Sequence, residues 1–297
     1  MHKLSDYLAG FVRLPVKLCW FLRVSSLLLR ISVLLHLVLL PMIFITPIGR
    51  WPLILVLIAN HVVLCVAGLL PRSTWLGKNW NRLPASAILR REIALTIDDG
   101  PDPLVTPLVL DILDRFGARA SFFCIGERAE AYPDLCREIL RRGHALENHS
   151  QRHLLTFACR GPGCMAREIA QGSQTLCRIS GQMPLFFRPP AGLRNPFLDP
   201  LLRHFALHLA SWTRRGYDTK EPRADVVLKR LLRNFSAGDI LLLHDGNAAR
   251  SASGNAVIVE VLPLLLEAAH HAGFHVVTLR SVLLREQSAE FSVEPRS

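Results

Sequence analysis

The sequence predicts an α/β fold, a closed or nearly closed β/α barrel preceded by an apolar helical hairpin, on three observations. Short β-rich runs alternate with helical patterns from about residue 92 onward, polar motifs stand where several of those runs end, and two almost wholly apolar stretches precede them all. Alternation of this kind points to parallel pairing with right-handed crossovers. An open doubly wound sheet would alternate too. However, no G-x-G-x-x-G turn follows the first strand, and the candidate site residues follow several different strands, which favours a barrel with its chemistry at the strand ends.

Residues 1–30 are basic, with Leu4, Leu8, Phe11 and Val12 near helical spacing, a pattern suited to lying along a membrane surface, although Pro15 interrupts it. Residues 31–71 read as two transmembrane helices, about Ile31 to Ile48 and about Pro52 to Leu70, broken mainly by His36, Asn60 and His61 and joined through Gly49-Arg50-Trp51. Each run approaches the roughly 20 residues that a spanning helix needs. The competing readings are a buried core hairpin and a signal peptide, but the latter has one apolar stretch rather than two. Lys3, Arg13, Lys17, Arg23 and Arg30 precede the first run and Arg72, Lys78, Arg82, Arg90 and Arg91 follow the second, whereas the connection holds only Arg50. Positive charge marks the cytoplasmic side, so both ends are expected there, at a bacterial inner membrane. Insertion of one run alone would place the catalytic domain in the periplasm.

A linker is expected over 72–90, then a catalytic domain over 91–285. Its strands are expected at Glu92–Ile97, Ala120–Cys124, Ala145–Glu147, Leu185–Phe187, Ala206–Ala210, Asp239–Leu243 and His275–Thr278. The helices between them fall at about Pro107–Phe116, Tyr132–Arg142, Met165–Ile179, Phe197–His204, Arg223–Asn234 and Ala256–Ala272. After Leu284 the chain turns polar, and residues 286–297 are expected to be a disordered tail. The net charge of +11 suits a neighbour of anionic lipid. It does not suggest nucleic acid, since no basic stripe with interleaved aromatics occurs. Of the seven cysteines, Cys124, Cys136 and Cys177 fall in apolar or helical patterns and read as reduced core residues, while Cys159 and Cys164 are left open as thiols or a pair.

Five motifs carry the chemistry: Thr96-Ile97-Asp98-Asp99-Gly100-Pro101, His149 to His153, Arg188-Pro189-Pro190-Ala191-Gly192, Trp212 to Asp218, and Leu242-Leu243-His244-Asp245-Gly246. Adjacent carboxylates Asp98 and Asp99 at a strand end can serve as a base and a ligand, or form an ordinary Asp-Gly-Pro turn. His149 and His153, four apart, would share a face of one helical turn and with Asp99 form an open, catalytic metal set. Zinc suits those donors, with cobalt, nickel or manganese as substitutes. Asp98 is the candidate base for the activated water, and Arg188 is expected to hold it by a bidentate contact. His244, leaving a buried strand, is the candidate acid for a leaving amine.

In order and spacing these motifs resemble the polysaccharide deacetylase family, which includes chitin, peptidoglycan N-acetylglucosamine and nodulation chitooligosaccharide deacetylases. The resemblance covers about residues 90 to 280. It implies a distorted seven-stranded (β/α) barrel and removal of an N-acetyl group from an amino sugar. It also implies Asp98 as base, Asp99, His149 and His153 as ligands, Arg188 as the orienting arginine and His244 as acid. The oxyanion would be met by the metal and a backbone N–H, either that of the residue after His153 or one near Tyr132. The family's fourth motif couples aspartate with tryptophan; the nearest match here gives Asp218 to tune His244 and Trp212 to wall the acetyl pocket, with Pro190 and Tyr217 as further substrate contacts. Ile97 stands where the family usually has phenylalanine. Arg152, Arg160, Arg194, Arg214, Arg215, Lys220 and Arg223 would favour an anionic or lipid-linked substrate if several faced the cleft. The alternatives are a deformylase or another C–N hydrolase on the same barrel, or a catalytically silent carbohydrate-binding membrane protein. A glycosidase would need carboxylates flanking the scissile bond rather than adjacent ones.

Overall fold

The computed structural model describes residues 25–46 and 49–293. The surface helix expected within residues 1–30 and the basic residues Lys3, Arg13, Lys17 and Arg23 lie outside the described residues, apart from the stretch after residue 24. Two antiparallel helices come first, α1 (Leu27–Ile45) and α2 (Arg50–Leu69). Both are long and apolar enough to cross a membrane, and only Leu29 and Ser32 of α1 and Asn60, Ala67 and Gly68 of α2 are buried, so they are not core helices of the domain behind them. Ser26 caps α1 by accepting from Leu29 N–H, and Gly49, at φ 88°, opens α2.

The rest is a parallel sheet wrapped by helices. Its strands are β1 (Glu92–Asp98), β2 (Ala120–Cys124), β3 (Ala145–Asn148), β4 (Phe186–Phe187), β5 (His208–Leu209), β6 (Arg214–Arg215), β7 (Ile240–His244) and β8 (His275–Val277). The order is β5-β4-β3-β2-β1-β7-β6, with β8 pairing with the first residues of β1. The sheet is distorted and curled as expected and holds all seven expected strands, His275–Thr278 among them as β8, together with β6, a two-residue strand that the sequence pattern does not reveal. Every residue of β1 is buried, as a central parallel strand with both faces covered requires. Outside the sheet lie α4 (Thr106–Arg115), α5 (Gly126–Ala131), α6 (Pro133–Arg141), α7 (Pro162–Ser180), α8 (Leu198–His204), α9 (Ala224–Leu232) and α10 (Val257–His271). Their apolar stripes close the main core over Ile93, Leu95, Ile97, Phe122, Leu241 and Leu243.

Two stretches differ from expectation. The linker 72–90 is part of the domain: Trp80 N–H donates to Leu209 O and Ser211 N–H to Trp80 O, so Trp80 extends the sheet at the β5 edge, and Leu83 and the helix α3 (Ala85–Leu89) bury Leu83 and Ala87 against Phe186, Ala210 and Ile240. Instead of a tail disordered from 286, α11 (Leu279–Val293) runs on through Val293, seated by Leu279, Val282 and Leu283 in that same cluster. In both cases a few apolar anchors in an otherwise polar stretch find the open end of the barrel. All six described cysteines, including Cys159 and Cys164, are free.

The hairpin docks on the domain at its C-terminal end. Arg194 N–H donates to Gly68 O, and a Cβ added at Gly68 would come within 2.3 Å of the Arg194 carbonyl oxygen, so this contact needs glycine. Leu29, Ala67 and Leu76 close over it.

Candidate active site

The polar motifs meet at the C-terminal ends of the strands, around a cavity of about 210 Å³. β1 ends at Asp98 inside the sheet, in register with His244 of β7. The chain then reverses at Asp99, whose φ of 71° swings the second carboxylate away from the strand direction. Asp98, Asp99, His149, His153, Trp212 and His244 all line the cavity.

His149 and His153 sit on a loop, not on the helical turn expected from their spacing. Ser150 and His153 both take positive φ, 67° and 52°, and the loop is pinned where Asn148 Oδ1 accepts from Ser150 N–H and Ser150 Oγ accepts from His153 N–H. This asparagine after a strand offers the backbone a local alternative to helix. The result still brings the rings together, with centroids 4.8 Å apart. Each Nε2 lies 3.2 Å from Asp99 Oδ1.

That cluster has the chemistry of a cation site. Asp99 Oδ1 is buried with no hydrogen-bond donor, while Asp99 Oδ2 accepts from Asn247 Nδ2. His149 Nδ1 donates to Arg188 O at 2.7 Å, which leaves its Nε2 lone pair facing the carboxylate. Burial, followed by the charge of His149, holds the His153 pKa down at about 4, so its ring is neutral at pH 7. Burial alone would raise the Asp99 pKa, but the histidines around it, His149 first, hold it well below the carboxylate range. Three electron-pair donors therefore converge within 4.8 Å of one another, an arrangement that a divalent cation reconciles.

Arg188 is fully buried and reaches Asp98 through one nitrogen only, Nη1 to Oδ1 at 2.6 Å, rather than by the bidentate contact expected. Its other donors go to Thr96 Oγ1, Ala210 O and Ser211 O, and its plane lies over the Phe123 ring at 4.1 Å. Opposite, Asp218 Oδ1 pairs with His244 Nδ1 at 2.9 Å and its Oδ2 accepts from His244 N–H. Burial opposes charge on His244, but Asp218, and after it Asp98 and Asp99, outweigh this and raise its pKa. Trp212 closes one wall against Gly192, which has φ 73° and no room for a Cβ beside the indole, 2.5 Å away.

Other expectations are redistributed. Pro190 is buried and does not face the cavity; its neighbours Ala191 and Gly192 do. Tyr217 stands outside the cavity, 53% exposed, beside Lys220, Glu221 and Arg230. Tyr132 N–H donates to Arg128 O, so it is not free for an oxyanion. Of the seven basic side chains expected near the cleft only Arg215 lines it. Arg152, Arg214 and Arg223 are paired with Glu168, Asp239 and Glu221; Arg160 bonds Thr156; Arg194 is buried at the hairpin seam; and Lys220 stands by Tyr217. Missed by the sequence were Asn247 and Arg128, the latter of which holds Asp99 O and Asn247 Oδ1. Asn247 follows the His244 motif directly, three residues after His244, and that proximity was the only signal.

Comparison with known proteins agrees with this geometry. The polysaccharide deacetylase family pattern matches residues 88–208. A peptidoglycan-N-acetylglucosamine deacetylase of Bacillus cereus is 34% identical over 193 residues, covering 64% of this chain and 87% of its own. A chitooligosaccharide deacetylase of Sinorhizobium fredii is 30% identical over 203 residues, covering 66% and 94%. The structure of peptidoglycan deacetylase PdaC from Bacillus subtilis superposes with a TM-score of 0.58 at 26% identity over 67% of this chain and 93% of that one. With the ordered motifs on one curled parallel sheet and relatives matched over most of their length, the chain belongs to the polysaccharide deacetylase family.

Proposed function

We propose that this protein is a membrane-anchored, metal-dependent hydrolase that removes the N-acetyl group from an amino sugar of a polysaccharide or lipid-linked glycan. The observation that carries the reading is the convergence of Asp99 Oδ1 with the two Nε2 atoms of His149 and His153, between the Arg188-held Asp98 and the Asp218-held His244. Asp99, His149 and His153 would hold a divalent cation, zinc by donor chemistry with cobalt, nickel or manganese as substitutes, and it would supply charge that polarises the acetyl carbonyl and acidifies water.

The chain's own residues supply the remaining roles. Asp98 accepts the proton of the attacking water, and Arg188, tied down at its other donors, fixes which oxygen of Asp98 is free for it. His244, with Nδ1 committed to Asp218, presents Nε2 to protonate the departing amine. Trp212 and Gly192 wall the side of the cavity where the acyl group would sit, and a formyl group would enter wherever an acetyl does. The hairpin α1–α2 is the membrane anchor, in keeping with its length, apolar surface and low burial.

Acetate release from N-acetylated oligosaccharides by the full chain in detergent, loaded with zinc, tests the reading. Release is expected, and it should vanish on chelation and fall in Asp98→Asn. Formate release from N-formyl sugars without acetate release would move the assignment to a deformylase. Tight metal binding with no release from any acyl sugar would leave a binding protein.

A further inference from the structure

We propose that Arg215 selects amino sugars that carry an oxyanion, a carboxylate or a phosphate, beside the acetamide. The proposal rests on the deacetylase reading above and adds the charge of its substrate. Arg215 ends β6 in register with Leu242, and both side chains line the cavity. Its guanidinium carbon makes cation–π contacts with two rings, 5.2 Å from the Trp212 centroid and 5.0 Å from that of Tyr217. Contacts of this kind use no N–H donor, so the N–H fork is left to bond.

That edge has no partner in the protein. Nε is buried and meets no acceptor, and among the described residues no carboxylate lies within ion-pair reach of Arg215. Arg188, its neighbour across Trp212, shows what a structural arginine looks like here, with every nitrogen bonded. The cavity's own carboxylates do not pair with it: Asp98 is held by Arg188, and Asp99 bonds Asn247 through Oδ2 and turns Oδ1 to His149 and His153. Buried donors in folded proteins are nearly always satisfied, so the unmet Nε–H of a cation in a substrate cavity calls for an acceptor from the ligand. A sugar hydroxyl could accept the bond but would leave the charge unanswered. A carboxylate or phosphate answers both, side-on to Nε–H and a terminal N–H. The stacking holds the fork in place beforehand, so little side-chain freedom is lost on binding.

The test uses the full zinc-loaded chain in detergent and three matched oligosaccharides: a neutral N-acetylglucosamine oligomer, one with a carboxylate-bearing ether on the reacting sugar, and one with a phosphate ester there. kcat/KM is read from acetate release, and Kd is measured separately on the Asp98→Asn chain. Wild type should favour one charged sugar by about ten- to a hundredfold, mainly through KM, as expected for a hydrogen-bonded charge. Which one it favours separates carboxylate from phosphate. Arg215→Gln should collapse that preference, and Arg215→Lys should keep part of it. Equal kcat/KM for neutral and charged sugars in wild type overturns the proposal. So does a preference that survives in Arg215→Gln, or an equal loss on all three sugars, which is what a purely structural role would give. If no sugar releases acetate the deacetylase reading fails, and the Kd ratios still decide the role of Arg215.

Discussion

At the scale of single residues, the site divides into groups that act and groups that hold them. Asp98→Asn keeps the shape of the side chain and removes the base, so acetate release should fall by about two to four orders of magnitude while the melting temperature stays close to wild type. Arg188→Ala should behave differently. It strands a buried Asp98 and leaves Ala210 O, Ser211 O and Thr96 without a donor, for a loss of about 3 to 5 kcal/mol in denaturant unfolding. A buried histidine away from the cavity sets the response to acid. His144 Nδ1 accepts from Ala120 N–H, and burial, then the charge of Arg119, lowers its pKa to about 4. A depressed imidazole stabilises the fold in its neutral form. That contribution is whole above the unfolded value near 6.5 and is lost as pH falls through about 4, up to about 3 kcal/mol in all. Denaturant midpoints should therefore fall between pH 6.5 and 4, and less steeply in His144→Gln; identical slopes would remove His144 as the cause. Asp98, Asp99 and His244 were legible because each is a polar residue at the end of an apolar run, and His149 and His153 because two histidines stand four apart just after a short strand. Asn247 and Arg128 were not, because an arginine or asparagine outside such a run looks the same whether it faces water or a cavity, and Arg215 could not be told from the six other basic residues named with it.

At the scale of elements, alternation of short apolar runs with helical stripes was enough to find seven of the eight strands. β6 escaped because it reads Arg214-Arg215, a pair that sits in a sheet only because β7 offers a free edge and Asp239 a counter-charge. The histidine loop was mistaken for a helical turn because spacing alone cannot see that Ser150 and His153 take positive φ, held by the side chains of Asn148 and Ser150. Linker and tail were misjudged for a related reason: the burial of Leu83, Ala87, Leu279 and Val282 depends on the barrel's open end, which no local pattern encodes. The Gly192 loop offers a test at this scale. Gly192→Ala must take φ 73° and push against the Trp212 ring, so a loss of about 1 to 3 kcal/mol is expected, together with a raised KM as the cavity wall shifts. An unchanged KM would mean that Trp212 does not shape the acyl pocket.

At the scale of the whole molecule, the hairpin and the barrel form one piece through Gly68, Arg194 and the cluster of Leu29, Ala67 and Leu76. If the hairpin spans a bilayer, the full chain should stay with membranes under alkaline carbonate and leave only with detergent; release by carbonate would make it a peripheral or soluble protein. Gly68→Leu should separate the two parts without dismantling either, seen as new protease cleavage between residues 70 and 84 with the melting of the barrel retained. The seam also lies beside the chemistry: Pro71, the second residue after α2, would be 3.1 Å from a Cβ at Gly192, on the cavity wall. If the hairpin is a membrane anchor, the enzyme would meet a lipid-borne substrate in two dimensions. Its velocity would follow the mole fraction of glycolipid in the surrounding leaflet, so diluting a lipid-borne substrate with inert lipid at constant bulk concentration should slow the reaction, while a freely dissolved sugar should show no such dependence.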